Sequence, residues 1–267
     1  MSSPHGDAAS APVWRGGRVG AYASCLLAPN AGPMTLDGTN TWVLRGSAGG
    51  RSVVVDPGPL HDGHLTALRR EAGEVAVVLL THGHVDHSEA ARAFAERAGC
   101  GVRALDPRHR LGDEGLGEGD VVDVDDLAVR VVATPGHTWD SLSMVLPDRA
   151  VLTGDTVLGR GTSVVAHPDG ALGSYLASLR RLLDLAQREQ ITRVLPGHGP
   201  VLTDAASVLE TYLTHRAGRL EQVRTALRAG ATTPHAVVER VYADVDPVLW
   251  PAAERSVAAQ LAYLRSG

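Results

Sequence analysis

Thr81-His82-Gly83-His84-Val85-Asp86-His87 puts three imidazoles and a carboxylate within six residues. Neutral imidazole nitrogens and carboxylate oxygens are the donors that zinc and similar divalent ions accept, so metal binding is the first chemistry to test. Three later turns offer more donors: Thr134-Pro135-Gly136-His137, Thr153-Gly154-Asp155 and Leu195-Pro196-Gly197-His198-Gly199-Pro200. One histidine in a glycine turn is ordinary loop chemistry. Four such turns, each just past an apolar run, point to convergence on one place.

The elements that must position these residues are short. Ala21–Ala28, Thr39–Arg45, Ser52–Asp56 and Glu74–Thr81 read as strands, and the third stops at Asp56-Pro57-Gly58-Pro59. Further strands are expected at Gly101–Leu105, Val121–Val124, Leu127–Ala133, Leu142–Leu146, Ala150–Thr153 and Ile191–Leu195. The run Glu74–Thr81 is continuously apolar, as in a strand buried on both faces. Helices are expected at His61–Glu71, Asp86–Gly99 and Leu172–Arg188. Each candidate donor then sits at the C-terminal end of a strand, where sites of α/β proteins collect.

After Pro200 the pattern becomes helical: Ala205–Ala229, Pro234–Tyr242 and Val248–Arg265, with Thr233 as N-cap and Pro234 in the first turn. Leu209, Leu213, Leu220, Val223 and Leu227 make an apolar stripe on the first of these. The expected organisation is a flexible lead-in over 1–20, a catalytic domain over 21–203 and a helical domain over 204–267. No strand pair is legible between 229 and 247, so the last unit reads as a helical appendage.

Composition narrows the partners. The chain has 267 residues and a net charge of −5, and all 25 of its basic residues are Arg. Residues 1–156 carry a balance of −7 and residues 157–267 one of +2. Tight sequence-independent binding to duplex DNA rests on many cationic phosphate contacts, which this balance does not supply. Cys25 and Cys100 cannot build a disulfide framework, and no apolar run reaches membrane-span length. A cytoplasmic protein with no membrane partner is expected; the oligomeric state stays open.

In this order and spacing the motifs resemble those of the metallo-β-lactamase-fold hydrolases, across roughly residues 20–200. The resemblance implies an α+β fold, an αββα sandwich of two mixed sheets with helices outside. It implies one metal on His82, His84 and His137, a second on Asp86, His87 and His198, and Asp155 bridging them. Asp56 matches the buried acid that orients a ligand imidazole. The ions would be two Zn²⁺, with Mn²⁺ or Fe²⁺ as alternatives.

Within the superfamily the chain looks like the lactamase-B-like endoribonuclease branch, which ends in a small winged-helix-like domain. The matching segments are Thr39-Asn40-Thr41, Thr134 to Thr138, Gly154 to Thr162, Pro196 to Pro200 and Tyr212 to Arg216. Trp139-Asp140-Ser141 departs from that branch, and the chain has no Lys. The resemblance implies a hydroxide held between the metals, with Asp86 orienting it and carrying its proton. Asn40 and Thr162 are expected to hydrogen-bond substrate, and Trp139 and Tyr175 to stack a base or line an acyl pocket. His5, His61, His64 and His109 read as solvated, and Cys100 as core.

Three functions follow from this reading. The first is hydrolysis of a phosphodiester such as single-stranded RNA. The second is hydrolysis of small thioesters or esters, glyoxalase II-like or lactonase-like. The third is a non-catalytic module in which metals are structural and the helical tail recruits a partner. An Arg-lined open groove beside the metals favours the first, and an apolar closed pocket the second.

Overall fold

The computed structural model describes residues 13–266. Twelve strands between Gly17 and Thr203 form two six-stranded sheets. In the first sheet β1 (Gly17–Val19), β2 (Ala23–Leu27), β3 (Asn40–Gly46) and β4 (Gly49–Val55) run antiparallel in chain order. Then β5 (Val75–Leu79) and β6 (Gly101–Arg103) join in parallel. Parallel neighbours need a crossover, and α1 (Asp62–Ala72) and α3 (Ala91–Ala98) supply it, with the one-turn α2 (Val85–Ser88) just before α3.

The second sheet holds β7 (Val121–Val124), β8 (Leu127–Ala133), β9 (Leu142–Leu146), β10 (Ala150–Gly154), β11 (Arg193–Pro196) and β12 (Leu202–Thr203). Only β10 and β11 are parallel, joined through α4 (Leu172–Glu189).

Strand periodicity explains the layers. In β3 and β4, Trp42, Leu44, Val53 and Val55 face the second sheet and meet Val129, Val131, Met144 and Leu152. The alternate residues Val43 and Val54 face outward onto Leu65, Leu68 and Phe94 of the helices. The other sheet repeats this, with Val132, Val151 and Val194 against Tyr175, Leu179 and Leu182 of α4. Both faces of each sheet are buried, hence the near-continuous apolar runs. The result is the expected helix–sheet–sheet–helix sandwich.

Three helices follow: α5 (Ala205–Arg228), α6 (Pro234–Val241) and α7 (Trp250–Ser266). The first half of α5 packs on α4 through Leu209 and Tyr212, while Val223 and Ala226 join Val237, Val238, Val257 and Leu261 in a small core of their own. Thus α5 belongs to two cores at once. Of the expected stripe, Leu209, Leu220 and Val223 are buried, and Tyr212 and Arg216 lie buried beside them. No strand occurs after β12 among the described residues.

Two expectations need correction. Residues 1–12 of the supposed lead-in lie outside the described residues, but Gly17–Val19 form β1 on Ala23–Leu27 and are not a free lead-in. The single helix expected over Asp86–Gly99 is two helices. Gly58 intervenes: its N–H donates to His87 O at 3.1 Å, and its carbonyl accepts from Ala90 N at 3.0 Å, replacing helical bonds at the joint.

Candidate metal centre

Strands β4, β5, β8, β10 and β11 end on one edge of the sandwich, and the candidate donors follow those ends. Asp56 follows β4, His82 follows β5, and His84, Asp86 and His87 lie at the start of α2 or within it. His137 follows β8, Asp155 follows β10 and His198 follows β11. The ligating atoms of His82, His84, His137 and Asp155 lie within 4.8 Å of one another, as do those of Asp86, His87 and His198. The seven residues singled out from the sequence are brought together.

Four of the five rings are held from outside. His137 Nδ1 donates to Val164 O at 2.7 Å, and His198 Nδ1 to Gly38 O at 3.2 Å. His87 Nδ1 donates to Asp56 Oδ2 at 2.9 Å. Asp56 Oδ2 also accepts from Thr81 Oγ1 at 2.6 Å, so the hydroxyl proton is spent and His82 Nδ1 donates to Thr81 Oγ1 at 3.0 Å. A neutral imidazole has one N–H. With that proton used outward, Nε2 of each of these four rings turns its lone pair inward.

The inward atoms are too close for lone pairs left to themselves. His82 Nε2 and His137 Nε2 each lie 3.1 Å from His84 Nδ1, and His87 Nε2 lies 3.2 Å from His198 Nε2. Asp86 Oδ2 lies 3.1 Å from His198 Nε2. Asp155 Oδ2 stands between the groups, 3.7 Å from His137 Nε2 and 3.4 Å from His198 Nε2. Donors about 2.0–2.1 Å from a tetrahedral zinc are separated by roughly 3.3 Å, so the spacing fits ions at the centre of each group. Asp155 Oδ1 is buried and accepts no hydrogen bond, as a carboxylate oxygen reserved for a cation would be. Gly197 lets the turn close over it: a Cβ there would collide with Asp155 Oδ1 and come within 2.8 Å of His87 Cε1.

The electrostatics show the same demand. Burial works to lower the pKa of His198, but Asp155 and Asp86 outweigh it and raise it to about 11. His87 is likewise raised, burial being outweighed by Asp155 and Asp56. Burial pushes Asp155 up, yet His198 and His87 hold it well below the usual carboxylate range. His137, buried and on the imidazole-rich side, is lowered to about 4. Without an ion, a proton on His198 supplies positive charge that the acids require.

Other expectations divide. Asn40 is 0% exposed and fully engaged: Oδ1 accepts from Trp14 Nε1 at 2.8 Å, and Nδ2 donates to Pro196 O and Gly199 O. It latches the turn carrying His198 and is corrected from a substrate contact to a structural one. Tyr175 is also corrected: it is buried with its hydroxyl on Thr156 O at 2.7 Å, so it offers no stacking face to a base. Trp139 is 50% exposed. His64, read as solvated, is buried, with Nε2 beside Thr41 Oγ1 and Pro57 O. Thr162 is half-buried and lines a cleft of about 460 Å³ between the sandwich and the C-terminal helices. Thr81 was missed; its adjacency to His82 at the strand end was the available signal.

Comparison with known proteins agrees with this geometry. Residues 34–198 match the Metallo-beta-lactamase superfamily, and residues 233–266 match the Beta-lactamase associated winged helix domain. A beta-lactamase-like protein 2 homolog of Caenorhabditis elegans is 32% identical over 239 residues, covering 82% of this chain and 76% of that protein. The homolog in Drosophila melanogaster is 30% identical over 271 residues, covering 90% and 86%. The crystal structure of a metallo-beta-lactamase family protein from Thermus thermophilus superposes with a TM-score of 0.77 at 23% identity, covering 91% of this chain and 93% of that one.

Proposed function

The chain belongs to the metallo-beta-lactamase superfamily, and on that footing we propose that it is a dinuclear metal-dependent hydrolase of phosphodiesters such as single-stranded RNA. The hydrolase reading is carried by one observation: seven side chains from four strand ends present unshared nitrogen and oxygen atoms to two common points. His82, His84 and His137 would hold one ion, Asp86, His87 and His198 the other, and Asp155 would reach both. Zinc is the first expectation for this donor set, with manganese or iron(II) as alternatives. When bound, such a pair polarises a phosphoryl or carbonyl oxygen and acidifies water toward a pKa of about 7.

The chain's own groups orient and accept. His82, His87, His137 and His198 are shut in, while the side chains of Asp86 and His84 are 31% and 45% exposed. The centre therefore opens on the side of those two residues. Asp86 meets both the cluster and the open side, which suits it to orient the attacking water and take its proton. Asp56 and Thr81 keep His87 and His82 in the tautomer that faces inward.

The choice of phosphodiester draws on the charge of the cleft behind His137. Ser163 forms part of its wall, and its Oγ lies 3.2 Å from His137 Nδ1, so the cleft reaches the outer side of that ring, while none of the seven candidate ligands lines it. Arg160, Arg216 and Arg219 line it against Asp244, with Asp37 paired to Arg160, which leaves a small cationic excess suited to phosphate. The cleft also has an apolar floor of Met34, Leu36, Leu158 and Leu249, which favours the second reading, a small thioester or ester. Metal-loaded protein should be assayed on labelled single-stranded RNA, thioesters and lactones. Cleavage of RNA that chelation abolishes and metal restores supports the first reading. Turnover of thioesters or lactones with RNA intact replaces it with the second, and no turnover by fully loaded protein removes both. No described helix is long and apolar enough to cross a membrane.

A further inference from the structure

We propose that the C-terminal helical domain is a working part of the metal centre: Arg216 of α5, with Tyr212 one turn before it, is a positioning residue that sets the His137 ring through the segment 156–164. That segment has no helix or strand of its own, so its backbone must be held by something else. One end follows Asp155, which stands between the two donor groups. The other end is Val164, whose carbonyl accepts from His137 Nδ1.

Besides Gly159 N–H on His198 O at 2.8 Å and the Thr153 hydroxyl on Val157 O at 2.9 Å, the holding comes from α4 and α5. Tyr212 Oη accepts from Leu158 N at 2.8 Å and lies 3.2 Å and 3.3 Å from the carbonyls of Leu158 and Gly161, either of which can take its proton. Arg216, four residues on and so on the same helix face, donates Nη2 to Ser163 O. Its guanidinium packs 4.8 Å from the centre of the Tyr175 ring, whose hydroxyl donates to Thr156 O. Thus Thr156, Leu158, Gly161 and Ser163 are each held by a side chain of one of these helices.

Arg216 is costly where it stands. It is 8% exposed, has no carboxylate within ion-pair distance among the described residues, and leaves Nε without an acceptor. A buried cation without a counter-ion carries a desolvation cost, offset here in part by the Tyr175 ring face and the bond to Ser163 O. Here the bond to Ser163 O fixes the residue next to Val164. With Val164 O and Ser163 Oγ both standing at Nδ1, the only N–H of neutral His137 is committed outward and Nε2 faces the cluster; both acceptors belong to the braced segment, so losing the brace loosens tautomer and ring angle together. His137 stands with His82, His84 and Asp155 and not with Asp86, His87 and His198. Losing the brace should therefore weaken one ion before the other.

This inference rests on the ligand assignment proposed above, and one titration separates the two. Full-length wild type, Arg216→Met, Arg216→Lys and Tyr212→Phe are titrated with cobalt(II) against a competing chelator, following visible absorption and bound metal. Wild type should take up two ions. Arg216→Met should bind one of them about 10- to 100-fold more weakly, the usual effect of losing an outer partner of a ligand histidine. The other ion should keep its affinity. Arg216→Lys, which can still donate to Ser163 O, should recover part of the loss. If Arg216→Met does not fold, Tyr212→Phe, which deletes one oxygen, is read by the same criterion. Wild-type affinity at both sites, or equal weakening of both, overturns the brace. A wild type that takes up fewer than two ions overturns the ligand assignment.

Discussion

Asp56 Oδ2 lies 2.9 Å from His87 Nδ1, and the same oxygen takes the Thr81 hydroxyl whose oxygen accepts from His82. One buried carboxylate thereby orients two imidazoles that face different donor groups. Asp56 also holds the backbone N–H of Thr81 through Oδ1 at 2.8 Å and does so from a left-handed conformation, φ 52°. A non-glycine residue in that region costs about 1 kcal/mol or more, offset here by three hydrogen bonds.

Asp56→Ala should therefore weaken both ions, by about 10- to 100-fold, and lower stability by about 1–3 kcal/mol as Thr81 N–H is left buried and unpaired. Chelator competition and thermal melting on one preparation check this. Metal affinity equal to wild type would show that Asp56 serves the fold alone.

Purified protein loaded with zinc should saturate at two ions per chain by elemental analysis. Asp155→Ala should lose metal and turnover together, since its Oδ2 approaches imidazoles of both groups. Saturation of the wild type at one ion removes the dinuclear reading.

Asp86→Asn keeps the shape and one ligating oxygen but removes the charge and the capacity to take a proton. Turnover should fall by about 10²-fold or more while metal occupancy falls modestly. Turnover that survives in metal-replete Asp86→Asn would make Asp86 a structural ligand only.

The raised pKa of His198 gives a sign for pH. Its folded value of about 11 exceeds its ordinary value of 6.5, so protonated His198 stabilises the metal-free fold. That contribution is complete below 6.5 and is lost as the pH rises through about 11. Metal-free protein should accordingly melt at lower temperature as the pH is taken from 7 to 11. Metal binding near pH 7 should expel about one proton or more, because ligand imidazoles must be neutral. Calorimetric titration in two buffers of different ionisation enthalpy measures this, and equal heats in both would refute it.

A chain ending at Thr203 would lose Leu209 and Tyr212 from the face of α4, each side chain contributing about 1.5–3 kcal/mol of burial. It should aggregate or bind a hydrophobic dye. A soluble, fully active truncation would make the C-terminal helices an accessory.

The donor cluster was legible in the sequence because its signals are local. A strand end, a glycine turn and a histidine or aspartate lie within a few residues at His82, His137, Asp155 and His198. The sandwich was implied by the family resemblance that these motifs carry, and the helices needed to bridge its parallel strands agree with it.

What only the tertiary structure decided depends on partners far along the chain. Asn40 looks like a free loop amide until Pro196, Gly199 and Trp14 occupy it. His64 looks solvated until Thr41 and Pro57 enclose it. The joint between α2 and α3 is made by Gly58, nearly thirty residues earlier, whose backbone takes the bonds a continuous helix would have kept. Arg216 looks like an exposed helix cation until Ser163, fifty-three residues before it, accepts its hydrogen bond beside a candidate ligand of the metal. Periodicity and turn chemistry record which face a residue shows. They do not record which distant backbone group will be waiting there, because that is settled only when the layers pack.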